Sequence, residues 1–307
     1  MKVMYVTGEQ LVPLREGISP RPNPGTGELL IRVHAAGVTP TELQWYPTSH
    51  DKAGGVRVNA VPGHEFSGVV EGVGENVGGL TVGQEVFGMN DWFADGAIAG
   101  YCLAPHSSVV PKPASLTHIE AASVPIGSLT AWQGLFTRAN LQPGERVLVH
   151  GGSGAVGLFA VQLARLEGAE VVATASARHR EFVRSLGASQ VVDYHTQRFE
   201  DVARDFDVVF DTVGGETLQR SWSVLKPGGR MVTIAAAGEA TTDERVKQAF
   251  FIVEPDQHQL AEIAARLSDG RLRTFVDAVV PFSRAADAFA GRVERSGRGK
   301  LVIDTLN

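Results

Sequence analysis

The chain has 307 residues, 43% of them hydrophobic and 20% charged, and a net charge of −6. This describes an ordinary globular protein with room for two domains, and the acidic balance argues against nucleic acid or an anionic membrane as the main partner. One cysteine, Cys102, excludes an intrachain disulfide and any cysteine-based zinc cluster, and no apolar run approaches the ~20 residues that span a bilayer.

The start, MKVMYVTGEQ, alternates and carries charge early, so it reads as a strand rather than a signal peptide; a cytoplasmic location is expected. Residues 27–38, 65–74 and 82–88 are strands punctuated by glycine. Such close spacing predicts a small β-barrel. Val109 to Pro113 leads out of it. Thr117-His118-Ile119-Glu120 has the form of a capping box and starts a helix. Pro125 is expected to interrupt, and a further helix runs from Ser128 to Asn140.

The next stretch, RVLVHGGSGAVGLFAVQLARLEGAEVVATAS from Arg146 to Ser176, organises the rest. Val147-Leu148-Val149 is a buried parallel strand. Gly152-Ser153-Gly154-Ala155-Val156-Gly157 then runs straight into an apolar helix, Leu158 to Leu166, and Glu170 to Thr174 is a second strand. A bare G-x-G-x-x-G is weak in a chain with 35 glycines. Between a strand and a helix, with a second strand behind, it is a dinucleotide-binding fingerprint: the glycines give the tight turn, the approach to a pyrophosphate and close packing, and the helix start offers free N–H groups. An NAD site wants an acid at the end of the second strand to hold the ribose 2′-hydroxyl. Here stand Ser176, Arg178 and Arg180, which suit a 2′-phosphate, so the expected cofactor is NADPH. The missing acid also counts against an S-adenosylmethionine fold.

Alternation then continues: a helix at Phe182 to Leu186, strands at Gln190 to Tyr194 and Phe206 to Asp211, a helix from Leu218 to Leu225 closed by Lys226-Pro227-Gly228-Gly229, a strand at Met231 to Ile234, another at Phe250 to Val253, and a helix from Gln257 to Leu267. This implies an α/β doubly wound parallel sheet covered on both faces. The tail returns to strand, helix, turn and strand and is expected to rejoin the barrel.

Together these residues resemble the medium-chain dehydrogenase/reductase superfamily, and within it the zinc-free quinone oxidoreductase (zeta-crystallin-like) branch. The resemblance covers nearly the whole chain. Its marks are Ala121 to Pro125, Leu129-Thr130-Ala131-Trp132, His150 to Gly157, Asp211 to Gly215, Lys226 to Gly229 and Gly297 to Lys300. It implies a GroES-like catalytic domain at 1–122, rejoined by 271–307, a Rossmann domain at 123–270, an active site between them, and a homodimer built on an edge strand at Phe250 to Val253. By motif it puts Thr130 near the nicotinamide and Ser153 to Val156 at the pyrophosphate. Ser176, Arg178 or Arg180, and Tyr194 fall at the adenosine end, Val213, Ile234, Ala235, Phe250 and Phe251 on the nicotinamide side, and Lys300 closes from the tail. For Phe250 and Phe251 plain core packing is the competing reading.

Gly63-His64-Glu65 matches the zinc alcohol dehydrogenases of the same superfamily. Catalytic zinc needs three protein ligands and an open position. The family's first ligand, a Cys, falls on Thr39, and the third falls in Pro125-Ile126-Gly127-Ser128, which offers no Cys, His or Asp. No metal is therefore expected, and His64 reads as structural. The His-Glu pair also departs from the quinone reductases, as do Thr39 to Glu42, where they usually carry Asn and Asp. The expected activity is NADPH-dependent hydride transfer to quinones or α,β-unsaturated carbonyls. Thr39 and Tyr46 are candidates to hydrogen-bond the substrate oxygen, Trp45 to wall the pocket, and His64, Tyr46 or solvent to supply the proton. A zinc-dependent alcohol dehydrogenase and a non-catalytic NADPH-binding protein are the alternatives.

Overall fold

The computed structural model describes residues 1–9, 11–235 and 241–307, so Gln10 in the opening stretch lies outside them. The first part of the chain is β1 (Lys2–Val6), β2 (Leu14–Ile18), β3 (Glu28–Val38), α1 (Tyr46–Ser49), β4 (Glu65–Val73), β5 (Glu85–Met89), β6 (Tyr101–Pro105) and β7 (Val109–Pro111). Strand β3 is its spine. One edge of it pairs with β4 over almost its full length, while the other pairs with β6 at Glu28 to Arg32.

Helix α2 (His118–Ala122) opens on the predicted capping box: Thr117 Oγ1 accepts from the Glu120 N–H and Glu120 Oε2 from the Thr117 N–H. Pro125 does not interrupt a helix but begins one, α3 (Pro125–Trp132), since a first helical residue has no N–H to satisfy. That helix continues as a π-helical turn over Gln133–Arg138.

The second part is β8 (Arg146–Val149), α4 (Gly157–Leu166), β9 (Glu170–Ala175), α5 (Arg180–Ser185), β10 (Gln190–Asp193), α6 (Phe199–Val202), β11 (Phe206–Asp211), α7 (Gly215–Ser221), β12 (Leu225–Thr233), α8 (Glu244–Ala249) and α9 (Gln257–Ser268). Its sheet is parallel, in the order β10-β9-β8-β11-β12. Alternate side chains leave it on opposite faces. Val147, Val149, Ala173 and Phe210 join the core beneath α3, α4 and α9, while Leu148, Val172 and Val209 join a second one with Leu218 and Val246. Burial on both faces is what turns a strand into a continuous apolar run.

Two expectations fail here. Lys226-Pro227-Gly228-Gly229 does not close a helix; α7 stops at Ser221, and the four residues bulge within β12, where the pairing jumps from Leu225 to Arg230. Phe250 to Val253 is not a strand. Only Phe250 bridges to Thr233, with the Phe251 N–H donating to the Thr233 carbonyl, and from Val253 onward the backbone is claimed by side chains. Trp92 donates to the Val253 carbonyl, and the Gln133 amide both donates to the Glu254 carbonyl and accepts from its N–H.

The tail, β13 (Val276–Pro281), α10 (Ala285–Phe289) and β14 (Lys300–Asp304), returns to the first sheet. Strand β14 pairs with β3 at Ala35 to Val38, on the edge β6 leaves free, and in parallel with β13. That return delivers Lys300 next to the end of β3. No helix among the described residues is long and apolar enough to cross a membrane.

Candidate active site

The order of the parallel sheet reverses direction at β8, whose neighbours are β9 and β11. Ligands bind in the crevice beyond the carboxyl ends of strands at such a switch point. A cavity of about 700 Å³ lies there, lined among others by Ser153, Gly154, Tyr194 and Val213. Four of the predicted residues are thus brought together.

The glycine loop has the geometry of a phosphate cradle. Gly151 takes the sharp turn at φ +72°, and Gly157 packs so tightly that a Cβ there would run into the Gly151 carbonyl. Gly154 is less tightly enclosed, since a Cβ on it would meet a single atom, the Gly151 carbonyl oxygen, at 3.3 Å. The N–H groups of Ser153, Ala155 and Val156 have no hydrogen-bond partner among the described residues and stand at the start of α4, where backbone donors and the helix dipole favour an anion. These residues fit a pyrophosphate.

Ser176 follows β9, its side chain without a hydrogen-bond partner among the described residues, and Arg178 is exposed beside it. Arg180 Nε is buried without a partner among the described residues. Beyond Tyr194, sequence reasoning missed the rest of the lining on that side, the run after β10 and Arg220 of α7. There Arg198 and Arg220 both pair with Glu200, at 2.8 and 2.9 Å. The signal was available, because that run follows the carboxyl end of a sheet strand.

The tail loop closes on the cradle. Gly299 N–H donates to the Ser153 carbonyl at 3.0 Å, Gly299 bridges to Gly154, and His179 joins Ser153 Oγ to the Ser296 carbonyl. Burial holds the His179 imidazole below the usual histidine range, so it spans these groups as a neutral ring.

On the nicotinamide side the predicted set divides. Val213 is exposed to the cavity, and Ile234 and Ala235 follow β12. Thr130 is buried, donating to the Ile126 carbonyl at 2.6 Å. Phe251 is a core residue, packed with Phe210 around Gly134 under the Arg138 guanidinium; Phe250 is only half-buried.

Across the cleft lies a cluster drawn from four stretches of chain. Lys300, 5% exposed, donates to Thr39 Oγ1 at 2.7 Å and pairs with the Glu65 carboxylate. Lys300 is thus directed at Thr39 and Glu65 rather than into the cofactor cavity. Glu65 Oε2 accepts from the Ile126 N–H at 2.9 Å. Burial pushes the Glu65 carboxyl above the usual carboxylate range, and the Lys300 ammonium pulls against it. The cluster is tied to the cradle on two sides. Gly299 precedes Lys300, and Gly127, next to Ile126, packs against the Ala155 carbonyl so closely that a Cβ would not fit.

Beside it, Glu42 accepts from the Gly63 N–H and faces His64 Nδ1 at 3.4 Å. The rings of His64 and Trp45 both lie against Trp92, at 5.2 and 5.3 Å, so Trp92 joins the predicted Trp45 as an aromatic wall. Tyr46 stays outside this group, 51% exposed and stacked on His50. Among the described residues no group of three or more His, Cys, Asp or Glu is arranged to hold a metal ion.

Fold and site together define a two-domain oxidoreductase with a nicotinamide-cofactor-binding Rossmann domain. The family descriptions "Alcohol dehydrogenase GroES-like domain" and "Zinc-binding dehydrogenase" match residues 25–114 and 186–303. A probable zinc-binding oxidoreductase, mitochondrial, of Arthroderma benhamiae is 32% identical over 94% of this chain and 91% of its own. A 2-methylene-furan-3-one reductase of Solanum lycopersicum is 33% identical over 91% and 72%. The structure of the quinone oxidoreductase from Coxiella burnetii superposes with a TM-score of 0.88, at 28% identity over 99% of both chains. The chain belongs to the medium-chain dehydrogenase/reductase superfamily, among quinone oxidoreductase and enone reductase relatives.

Proposed function

We propose that the protein is an NADPH-dependent reductase of quinones or α,β-unsaturated carbonyls that works without a metal. The observation that carries this reading is the donor set across the cleft from the cradle. A hydroxyl, Thr39, stands where the resemblance places a metal-ligating Cys, His64 is engaged by Glu42, and the stretch of the third ligand contributes the Ile126 N–H. The Coxiella quinone oxidoreductase and the tomato 2-methylene-furan-3-one reductase support the same class of acceptor.

The cofactor supplies a hydride when bound. The protein holds the acceptor's electron-poor carbon against it and keeps water out, with Trp45 and Trp92 as walls. With the cofactor bound, the hydride's electron pair would form the new C–H bond, the displaced π pair would come to rest on the carbonyl oxygen, and a proton from water would complete the product. Thr39 donates a hydrogen bond to that oxygen; one such donor contributes ~3–4 kcal/mol in a formed oxyanion site. Conjugation spreads the charge over an enolate or phenolate, which a hydroxyl can hold, whereas a simple alkoxide calls for a Lewis acid. Ser176, Arg178 and Arg180 favour NADPH over NADH.

The test is cofactor oxidation across a panel of quinones and enones with NADPH and with NADH. Turnover with NADPH preferred is expected. Equal use of NADH removes the cofactor assignment, and tight NADPH binding with no turnover on any acceptor favours a non-catalytic protein.

We further propose a homodimer paired along the sheet edge beside Phe250, where Ile252 is 53% exposed and joining two copies would cover it.

A further inference from the structure

The three stretches that the resemblance assigns to metal ligands meet in this fold, yet what they surround is a side-chain cation. Thr39 Oγ1 accepts from Lys300 Nζ at 2.7 Å, Glu65, next to His64, pairs with the same ammonium, and Glu65 Oε2 accepts from the Ile126 N–H. A dication bound among these groups would find no thiolate and would compete with the Lys300 ammonium for the Thr39 oxygen and the Glu65 carboxylate. We infer that the Lys300 ammonium occupies the metal's electrostatic place and acts through Thr39, fixing its hydroxyl as a donor to the substrate oxygen.

The argument is one of valence and direction. A hydroxyl has one hydrogen and two lone pairs. The ammonium has no acceptor, so its contact with Thr39 consumes a lone pair and leaves the Thr39 hydrogen free for another partner. A hydroxyl that accepts from a cation is polarised into a stronger donor. Thr39 is half-buried and Lys300 almost wholly so, which makes Thr39 the more accessible of the two. Glu65 fixes the lysine from behind, and its own second oxygen is held by a backbone N–H that cannot move without moving α3. Lys300 is in these terms a positioning residue, and the pair lets the fold keep a cation near the developing charge without a bound ion.

This inference rests on the proposed reductase reading, so its test includes a readout that needs no turnover. 4-Nitrophenol, which carries an oxyanion when ionised, is titrated in the complex with NADPH, following the absorbance of its phenolate. Wild type is expected to lower the pKa of the bound phenol. Lys300→Met alone would strand the buried Glu65, so it is combined with Glu65→Gln. The double variant is expected to bind NADPH as wild type does and to raise the bound phenol's pKa by about one unit or more. Its kcat should fall roughly 10- to 100-fold with KM for NADPH unchanged. Adding Thr39→Val to it should cost little more, since the two act as one device.

A folded double variant that keeps the wild-type phenol pKa and kcat would show the pair to be structural and overturn the inference. If the double variant does not fold, Thr39→Val, which leaves the pair intact, takes its place. Loss of phenolate preference, restored by Thr39→Ser, supports the device, and retention overturns it. A wild type that shifts the phenol but reduces no acceptor would leave this inference standing and remove the reductase reading.

Discussion

The two sides of the cleft are built by opposite means. The cradle is made of backbone: a turn at Gly151, a lone contact at Gly154, and N–H groups without a partner among the described residues at the start of α4, all within a few consecutive residues. The Thr39–Lys300–Glu65 cluster is made of side chains delivered by three strands, with two hydrogen-bonded partners 261 positions apart in sequence. The difference teaches where robustness lies. A backbone site depends on local conformation and is lost by adding atoms, while a side-chain site depends on topology and is lost by removing one partner.

That contrast can be broken at either end. The largest effect is expected from Lys300→Met by itself, which leaves Glu65 buried and unpaired. Removing one member of a buried ion pair costs about 3–5 kcal/mol, read as a fall in the denaturant midpoint that Glu65→Gln in the same chain largely restores. On the cradle side Gly157→Val should cost about 3 kcal/mol by overpacking against the Gly151 carbonyl. Gly154→Ala, whose Cβ would press only lightly on the same carbonyl, should cost about 1 kcal/mol yet weaken NADPH binding, measured by fluorescence titration. Equal destabilisation by the two glycine substitutions would contradict the division of labour within the loop.

A smaller effect concerns the adenosine end. Losing one charge-assisted hydrogen bond removes about 1.5–3 kcal/mol, or ~10- to 150-fold in affinity. Replacing Arg178 and Arg180 with Ala should therefore narrow the NADPH-to-NADH ratio of kcat/KM by that order.

Both regions should share a weakness to acid. Burial drives the His118 imidazole down to about 4, and His34, His150 and His179 are lowered for the same first cause. A histidine held below its unfolded value binds fewer protons folded than unfolded. The stability it contributes is complete above pH ~6.5 and is lost as pH falls toward 4. A decline of about 1–3 kcal/mol between pH 6.5 and 4.5 is expected in urea melts, and His118→Asn should flatten it. The least perturbing test is assembly: Ile252→Asp should shift a dimer toward monomer in light scattering without changing the Tm by more than a few degrees.

The same contrast explains what the sequence made legible. The glycine loop, the parallel strands around it and the capping box at Thr117 are local patterns whose physics lies within a few residues. Lys300 was visible as the close of a tail motif, but not its direction, because nothing near Gly297 to Lys300 announces that β14 pairs with Ala35 to Val38. Thr39 was singled out and Trp92 was not, since an aromatic in a loop declares no partner until the Val253 carbonyl is beside it. Phe250 to Val253 reads as a strand because it is a short apolar run, and its burial does alternate. What failed was the ladder, which stops after the Phe251 N–H because the Val253 carbonyl is taken by Trp92 and the backbone of the next residue by Gln133. Likewise Lys226 to Gly229 has the composition of a stop, and only the pairing of Arg230 with Val208 turns it into a bulge.

The most direct measurement compares an enone with its saturated ketone, following NADPH oxidation before and after exhaustive dialysis against a chelator. The account predicts turnover of the enone, none of the ketone, no oxidation of the corresponding simple alcohol, and rates that dialysis leaves unchanged. Robust alcohol oxidation that the chelator abolishes and zinc restores would contradict it.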